Sequence, residues 1–121
     1  MTDNRNGAVA VVDDDPGVLD SLKFLLEAAG HTVAAYASAA AFLCDRATRV
    51  ACLILDHHMP EMTGLELVAQ LRGEGARMPV LLTTGSPSPA IVARAAELGI
   101  EKVLEKPLDE DDLLSFVNAH R

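Results

Sequence analysis

The sequence predicts an α/β domain in which five parallel strands form a doubly wound sheet. Short apolar runs alternate with helix-like segments along all 121 residues, which is the order of a βα series with right-handed crossovers. Several runs are apolar almost throughout, as strands covered on both faces are. The predicted strands span residues 8–12, 32–36, 51–55, 79–83 and 102–105. We expect one domain over residues 1–121, with a flexible N-terminus at residues 1–6.

The helices are predicted from capping residues and glycine stops. Asp15 is expected to cap the first helix, with Pro16 at its first position and Gly30 as its stop. Ser38 is expected to cap a second helix that runs to about Ala47. The other predicted starts and stops are Thr63 with Gly73, Ser88 or Pro89 with Gly99, and Asp109, which forms a capping-box pattern with Asp112.

Composition excludes several classes of function. Half of the residues are hydrophobic, so a disordered chain is not expected. The net charge is −8, from 18 acids and 10 bases, so nucleic acid would be repelled and direct binding to it is not expected. The N-terminus has no signal-peptide pattern and no run has membrane-spanning length, so we expect a cytoplasmic location and no membrane partner. Cys44 and Cys52 lack zinc-type spacing and are expected to be buried.

Polar residues follow four of the five predicted strands, where open α/β sheets bind their ligands. These residues are Asp13, Asp14 and Asp15, then Asp56, then Thr83 and Thr84, and finally Lys106 before Pro107. Converging carboxylates repel one another, and a hard, oxygen-preferring dication such as Mg²⁺ relieves that repulsion. A carboxylate that attacks a phosphoryl group also needs a cation between the two anions. The pattern therefore predicts a magnesium-assisted phosphoryl-accepting site.

Four motifs give the chain a resemblance to a known family. They are Val11-Val12-Asp13-Asp14, Leu55-Asp56-x-x-Met59-Pro60-x-Met62-x-Gly64, Thr84-Gly85 and Lys106-Pro107. In this order and at this spacing they resemble the receiver domains of bacterial two-component response regulators, over essentially the whole chain. The resemblance implies a flavodoxin-like (βα)5 fold with strand order 2-1-3-4-5. It also implies a signalling phosphoacceptor, not an enzyme, with self-phosphotransfer and autodephosphorylation as its only reactions.

The resemblance implies that Asp56 is the nucleophile. Its phosphoryl donor would be a phosphohistidine on a histidine kinase or on a histidine phosphotransfer protein. Mg²⁺, for which Mn²⁺ could substitute, would be bound by Asp13, Asp14, Asp56 and the backbone carbonyl of His58. We expect the donor protein to dock near the first helix and the loop after Lys106, where Pro16, Val18, Leu19 and Pro107 would rim the cleft.

The resemblance also implies roles for residues around the nucleophile. Lys106 would hold one phosphoryl oxygen, and Thr84, which directly precedes a small residue as the family pattern requires, would bind another. The Lys106–Pro107 bond resembles one that receivers hold in cis. His58 and Ser86 occupy positions that tune dephosphorylation in the family.

Two features need separate interpretations. Receivers commonly carry Tyr or Phe three residues before the lysine, but this chain has Val103, so a smaller packing shift must carry the signal. The output, and a phosphorylation-dependent homodimer, would use the face of the fourth helix, fifth strand and last helix. His57 and His58 are adjacent and should point apart, so we interpret them as surface imidazoles and not as a zinc centre.

Alternative functions remain at this point. A haloacid-dehalogenase-type phosphotransferase would use Asp13 as nucleophile with Asp15 as the second acid, but it needs a further acidic pair after the lysine. The acids at 109–112 stand instead at a helix start, where negative charge is favourable. A receiver-like interaction module that never binds phosphate is the other alternative. The sequence does not identify the kinase, the signal, the oligomeric state or any output domain after Arg121.

Overall fold

The computed structural model describes residues 7–120. Within that part of the chain, five strands alternate with five helices: β1 (Ala8–Val12), α1 (Pro16–Ala28), β2 (Val33–Tyr36), α2 (Ala39–Cys44), β3 (Val50–Asp56), α3 (Gly64–Gly73), β4 (Val80–Thr84), α4 (Pro89–Glu97), β5 (Lys102–Glu105) and α5 (Glu110–His120). All neighbouring strands are parallel, in the order β2-β1-β3-β4-β5. The predicted fold class and strand order are confirmed. The N-terminus expected to be flexible, residues 1–6, lies outside the described residues.

The sheet separates two apolar layers. Alternate residues of β3 point to opposite faces, with Leu53 and Leu55 on one side and Cys52 and Ile54 on the other. The first side is covered by α2, α3 and α4, and the second by α1 and α5. All residues of β1 and β4 are buried, as expected for strands covered on both faces. The polar residues at the ends of these strands therefore extend from buried, hydrogen-bonded parts of the sheet.

Most helix starts form as predicted. Asp15 Oδ1 accepts a hydrogen bond from the Gly17 N–H at 2.9 Å, with Pro16 at the first helical position. Thr63 and Glu66 form a reciprocal capping box at the start of α3. Gly30 has a φ of +94°, the left-handed conformation that a glycine stop provides. Within residues 7–120, no helix combines the length and the apolar character needed to cross a bilayer.

The second helix differs from its prediction, because α2 ends at Cys44 and not near Ala47. The Asp45 carboxylate accepts hydrogen bonds from the backbone N–H groups of Ala47 and Thr48 at 3.0 and 3.1 Å and from the hydroxyls of Tyr36 and Thr48 at 2.6 and 2.7 Å. Among the contacts that lower the Asp45 pKa, the hydrogen bond from Tyr36 has the greatest effect. These bonds replace helical ones, and they leave Cys44 exposed, so its predicted burial was wrong.

Candidate functional site

Three carboxylates meet at the carboxyl end of the sheet. Asp13 follows β1 and Asp56 ends β3, and these strands are neighbours with Val12 opposite Leu55. One oxygen from each of Asp13, Asp14 and Asp56 lies within 4.8 Å of the other two. Asp13 and Asp56 are buried, whereas Asp14 is exposed at the rim. The structure thus brings together the three acids that the sequence pattern predicted to converge.

Lys106 faces this cluster from the end of β5. Its Nζ lies 3.1 Å from Asp56 Oδ1 and 3.3 Å from Asp13 Oδ2. The backbone N–H of Lys106 donates to Thr84 O at 2.9 Å, which ties the residue to the neighbouring strand β4. The Lys106–Pro107 peptide bond is cis, as the family resemblance implies. The lysine expected at the site therefore contacts two of its acids directly.

The charges in the cluster are not balanced. Burial is the main reason that the pKa of Asp13 lies above its usual value, and the nearby Asp56 charge adds to that increase. Burial also opposes the charge of Lys106, but hydrogen bonds and charges from Asp56 and Asp13 together outweigh it and raise the Lys106 pKa. Lys106 therefore stays protonated, and three carboxylates share one ammonium group. The excess is negative.

A hard cation fits this excess. Asp56 Oδ1 is buried, and the group that compensates it is the Lys106 ammonium at 3.1 Å. Asp13 shares that same ammonium, so one cationic group serves both buried carboxylates. The donors around Asp56 Oδ1 are carboxylate oxygens, which Mg²⁺ and Mn²⁺ prefer. The residues present therefore fit a divalent cation.

Thr84 belongs to a second set of contacts, on the other face of the sheet from Thr83. Thr84 is fully buried, and its Oγ1 lies 2.8 Å from His58 Nε2 and accepts the Ser86 N–H at 3.1 Å. Thr83 instead donates to Leu55 O at 3.5 Å and lines the cleft beside Asp56. The predicted modulators His58 and Ser86 are therefore both bonded to the predicted phosphoryl ligand Thr84. Sequence spacing gave no signal for the His58–Thr84 bond.

The two adjacent histidines do not form a joint metal site. His57 Nδ1 accepts the Leu65 N–H at 3.4 Å, whereas His58 turns to Thr84. Their rings stand edge to face at 4.9 Å. His57 is partly buried and not a surface residue, and burial lowers its pKa. Among residues 7–120, the side chains that lie close enough together to share a metal ion are Asp13, Asp14 and Asp56.

The loop between β3 and α3 requires glycine at position 64. A Cβ there would lie 2.7 Å from Leu82 Cδ1, 2.8 Å from Asp56 O and 2.9 Å from His57 Cα. These distances are shorter than a carbon contact allows, so any side chain at position 64 would displace the backbone of Asp56. The Gly64 N–H also donates to His57 O at 3.0 Å. Gly64 therefore holds the loop close behind Asp56.

A groove of about 1120 Å³ leads from the site along α1 and the start of α5. Asp56 and Lys106 are among its lining residues, and many of the others are apolar, including Val18, Leu22, Phe24, Leu25 and Pro107. Leu19, which the sequence suggested for the rim, is instead a core residue with 9% exposure. Phe24 is 77% exposed and was missed by the sequence reasoning. Its position outside the inward stripe of α1 could have identified it.

Comparisons with known proteins agree with this geometry. The sequence matches the model of the response regulator receiver domain over residues 9–118. It is 40% identical to the transcriptional regulatory protein FixJ of Azorhizobium caulinodans over 116 residues, which are 92% of this chain and 53% of that protein. It is 33% identical to the response regulator protein TodT of Pseudomonas putida strain F1, over 96% of this chain and 52% of the relative.

The structural comparison gives the same result. A CheY-like receiver domain from Methanospirillum hungatei JF-1 superposes with a TM-score of 0.86 at 27% identity, covering 93% of this chain and 91% of the other. A doubly wound sheet with an acidic, lysine-paired site defines a phosphoacceptor class of signalling domain. The chain belongs to the response regulator receiver domain family. It spans about half the length of the curated relatives it matches.

Proposed function

We propose that Asp56 accepts a phosphoryl group from the phosphohistidine of a histidine kinase or a histidine phosphotransfer protein. The observation that carries the proposal is the environment of Asp56 Oδ1. This oxygen is buried and lies 3.1 Å from the Lys106 ammonium, which Asp13 shares. A nucleophilic oxygen needs a free lone pair and a nearby cation for the incoming anion, and Asp56 Oδ1 has both.

The reaction balances with solvent water as the source of the proton and of the hydrolytic oxygen. An Asp56 carboxylate oxygen forms a bond to phosphorus, and the phosphorus–nitrogen bond of the donor breaks. The donor imidazole keeps the electron pair and takes up a proton. Water later attacks the acyl phosphate and releases inorganic phosphate, which restores the Asp56 carboxylate. The domain is thus a self-resetting phosphoacceptor and not an enzyme that acts on other substrates.

The surrounding residues have distinct roles in this proposal. Mg²⁺, or Mn²⁺ in its place, would be held by Asp13, Asp14, Asp56 and the His58 carbonyl, and would supply the positive charge that lets two anions approach. Lys106 binds a phosphoryl oxygen as a point charge. Thr84 donates its hydroxyl proton to another phosphoryl oxygen.

His58 and Ser86 set how fast the acyl phosphate is lost, because the His58 imidazole and the Ser86 backbone N–H both contact the Thr84 hydroxyl. His58 is exposed and Ser86 follows Thr84 by two residues. Water must pass this edge of the site to reach phosphorus. A change at either position should therefore alter hydrolysis more than phosphorylation.

The groove beside α1 is the proposed docking surface for the phosphodonor protein. It opens at Asp56 and Lys106, and its wall carries the exposed ring of Phe24. The chain resembles transcription regulators of about twice the matched length. We therefore propose a cytoplasmic receiver module of such a regulator, in which the face of α4, β5 and α5 mediates output and phosphorylation-dependent dimerisation.

Two other functions are not favoured. In a haloacid-dehalogenase-type reaction Asp15 would have to deliver a proton, but its carboxylate is engaged with the Gly17 and Val18 N–H groups at the start of α1. An interaction module that never meets phosphate would have no use for three converging acids and a paired lysine. Neither alternative has an observation in its favour.

Titration with beryllofluoride, a phosphoryl analogue, tests the proposal. The chain contains no Trp and a single Tyr, so ¹H–¹⁵N NMR is the suitable readout. We expect saturable shifts at residues around Asp56 when Mg²⁺ is present and none after chelation. Asp56→Asn should abolish the shifts. Saturable binding in Asp56→Asn, or no binding by the wild type in millimolar Mg²⁺, would overturn the proposal.

A further inference from the structure

His58 and Thr84 are joined by a side-chain hydrogen bond. His58 Nε2 lies 2.8 Å from Thr84 Oγ1. Thr84 is 0% exposed, whereas His58 is exposed on the loop between β3 and α3. The bond therefore connects an enclosed hydroxyl to a ring that can leave it for solvent.

The direction of this bond depends on the tautomer of His58 and on the hydrogen-bonding capacity of the hydroxyl. A threonine hydroxyl has one proton and two lone pairs. The Ser86 N–H already donates to Thr84 Oγ1, at 3.1 Å. One proton and one lone pair remain on the hydroxyl, so His58 Nε2 can accept or donate according to its tautomer. The inference takes the tautomer with an unprotonated Nε2, in which Thr84 donates its proton to the ring. While this bond exists, that proton is not available to a phosphoryl group on Asp56.

We propose that His58 is a positioning residue that holds the Thr84 hydroxyl before phosphorylation and releases it afterwards. The inference rests on the proposed function, because it takes Asp56 as the phosphoacceptor and Thr84 as a phosphoryl ligand. His58 acts through Thr84 and does not touch the phosphoryl group. When Thr84 turns to the phosphoryl oxygen, the freed imidazole changes the surface of the β3–α3 loop.

The packing around Thr84 leaves His58 as the residue through which a rotation of the Thr84 side chain would change the protein surface. Val103 pairs in register with Leu82 and belongs to the same apolar cluster, so it lies on the Thr84 face of the sheet. Its short side chain offers Thr84 no polar atom. The side chains of Thr84 and His58 are directly bonded, and His58 has the size and the exposure to report the change.

A double-mutant cycle tests the inference, with beryllofluoride affinity in Mg²⁺ as the readout for wild type, His58→Ala, Thr84→Val and the double variant. Valine keeps the shape of Thr84 and removes only the hydroxyl. Because one competing hydrogen bond is lost, His58→Ala should bind about two- to tenfold more tightly than wild type. In the Thr84→Val background the same change should have an effect below about twofold.

Two further variants serve as controls. His58→Gln retains an acceptor oxygen and should return the affinity to the wild-type value. His120→Ala removes another imidazole, one that pairs with Glu101 at 2.8 Å, and should leave the affinity unchanged.

The other outcomes contradict the inference in distinguishable ways. Equal effects of His58→Ala in both backgrounds would mean that His58 contacts the phosphoryl group itself. Weaker or unchanged binding by His58→Ala would exclude a competing bond. Failure of the wild type to bind would instead overturn the proposed function. Imidazole ¹⁵N shifts of the wild type give a test without substitution, since a protonated Nε2 in the ligand-free protein would refute the assigned direction.

Discussion

Lys106 Nζ lies 3.1 Å from Asp56 Oδ1 and 3.3 Å from Asp13 Oδ2, so one ammonium group faces two buried carboxylates. The lysine side chain is 30% exposed, whereas those of Asp13 and Asp56 are 4% and 5% exposed. One positive charge cannot neutralise both acids, and Asp14 adds a third at the rim. The pocket therefore costs stability when no cation is bound, and the same repulsion favours cation binding.

Removing the Asp13 charge should stabilise the protein in the absence of divalent cations. Burial holds the pKa of Asp13 above its usual value of 3.8. Because the Asp13 pKa is higher in the folded than in the unfolded protein, the protonated carboxyl contributes stability at low pH. That contribution is complete below the pKa of the unfolded state and is lost as the pH rises through the pKa of the folded state. At neutral pH we expect Asp13→Asn to raise the Tm in EDTA by about 3 °C, measured by circular dichroism.

The pH and the metal provide controls for this prediction. The Tm difference should shrink as the pH falls from neutral through the raised folded-state pKa of Asp13, because the wild-type carboxyl becomes protonated. Mg²⁺ should stabilise the wild type more than the variant. Asp20→Asn, which removes an exposed acid on α1, should show neither effect. A lower Tm for Asp13→Asn in EDTA at neutral pH would contradict the repulsion.

Val103→Ala should leave phosphorylation of Asp56 nearly unchanged. Val103 is partly buried in the layer that contains α3 and α4, and its contacts are apolar. The substitution removes packing and should cost on the order of 1 kcal/mol of unfolding free energy. We expect the rate of phosphorylation by acetyl phosphate to stay within about twofold of wild type. A large loss of phosphoacceptance by a folded Val103→Ala protein would refute this.

His58→Ala should change the lifetime of the acyl phosphate more than its formation. Release of Thr84 from His58 lets the hydroxyl cover the phosphoryl group, and loss of the imidazole removes a polar group beside the path of water. We expect the dephosphorylation half-life to lengthen about threefold or more, with a near-normal phosphorylation rate. Release of inorganic phosphate from purified phosphoprotein measures it. An unaltered half-life would count against this role.

Phe24→Ala should slow phosphorylation by protein donors and leave phosphorylation by small-molecule donors unchanged. Phe24 is 77% exposed on the groove wall, where a partner helix would cover it. Phosphorylation by acetyl phosphate should be unchanged, because a small donor needs no docking surface on the groove wall. Transfer from a histidine kinase or a phosphotransfer protein should slow about tenfold or more, as for a buried aromatic anchor. Val92→Ala, on the exposed side of α4, is the control. Equal rates from a protein donor would disprove the docking surface.

Local patterns predicted the sheet well. Each observed strand end lies within one residue of its prediction, because buried parallel strands are nearly continuous apolar runs. The convergence of Asp13 and Asp56 was also predictable, since the carboxyl ends of neighbouring parallel strands meet at one edge. Helix starts at Asp15 and Thr63 followed from capping chemistry within four residues of sequence.

What the sequence did not reveal depends on contacts between distant segments. The early end of α2 requires Asp45 to meet the hydroxyl of Tyr36, which arrives from β2. The His58–Thr84 bond joins residues 26 positions apart, and nothing in either local pattern specifies which way the imidazole turns. Phe24 is an exception, because its place on α1 outside the helix face that packs on the core is a local pattern that could have predicted its exposure.

The position of the phosphoryl group after treatment with acetyl phosphate and Mg²⁺ tests the central claim most directly. We expect intact-mass spectrometry to find one phosphoryl group per chain, dependent on Mg²⁺ and absent in Asp56→Asn. Peptide mapping after reductive trapping should place it on Asp56. A label on Asp13, or a label that persists in Asp56→Asn, would contradict the assignment of Asp56 as the phosphoacceptor.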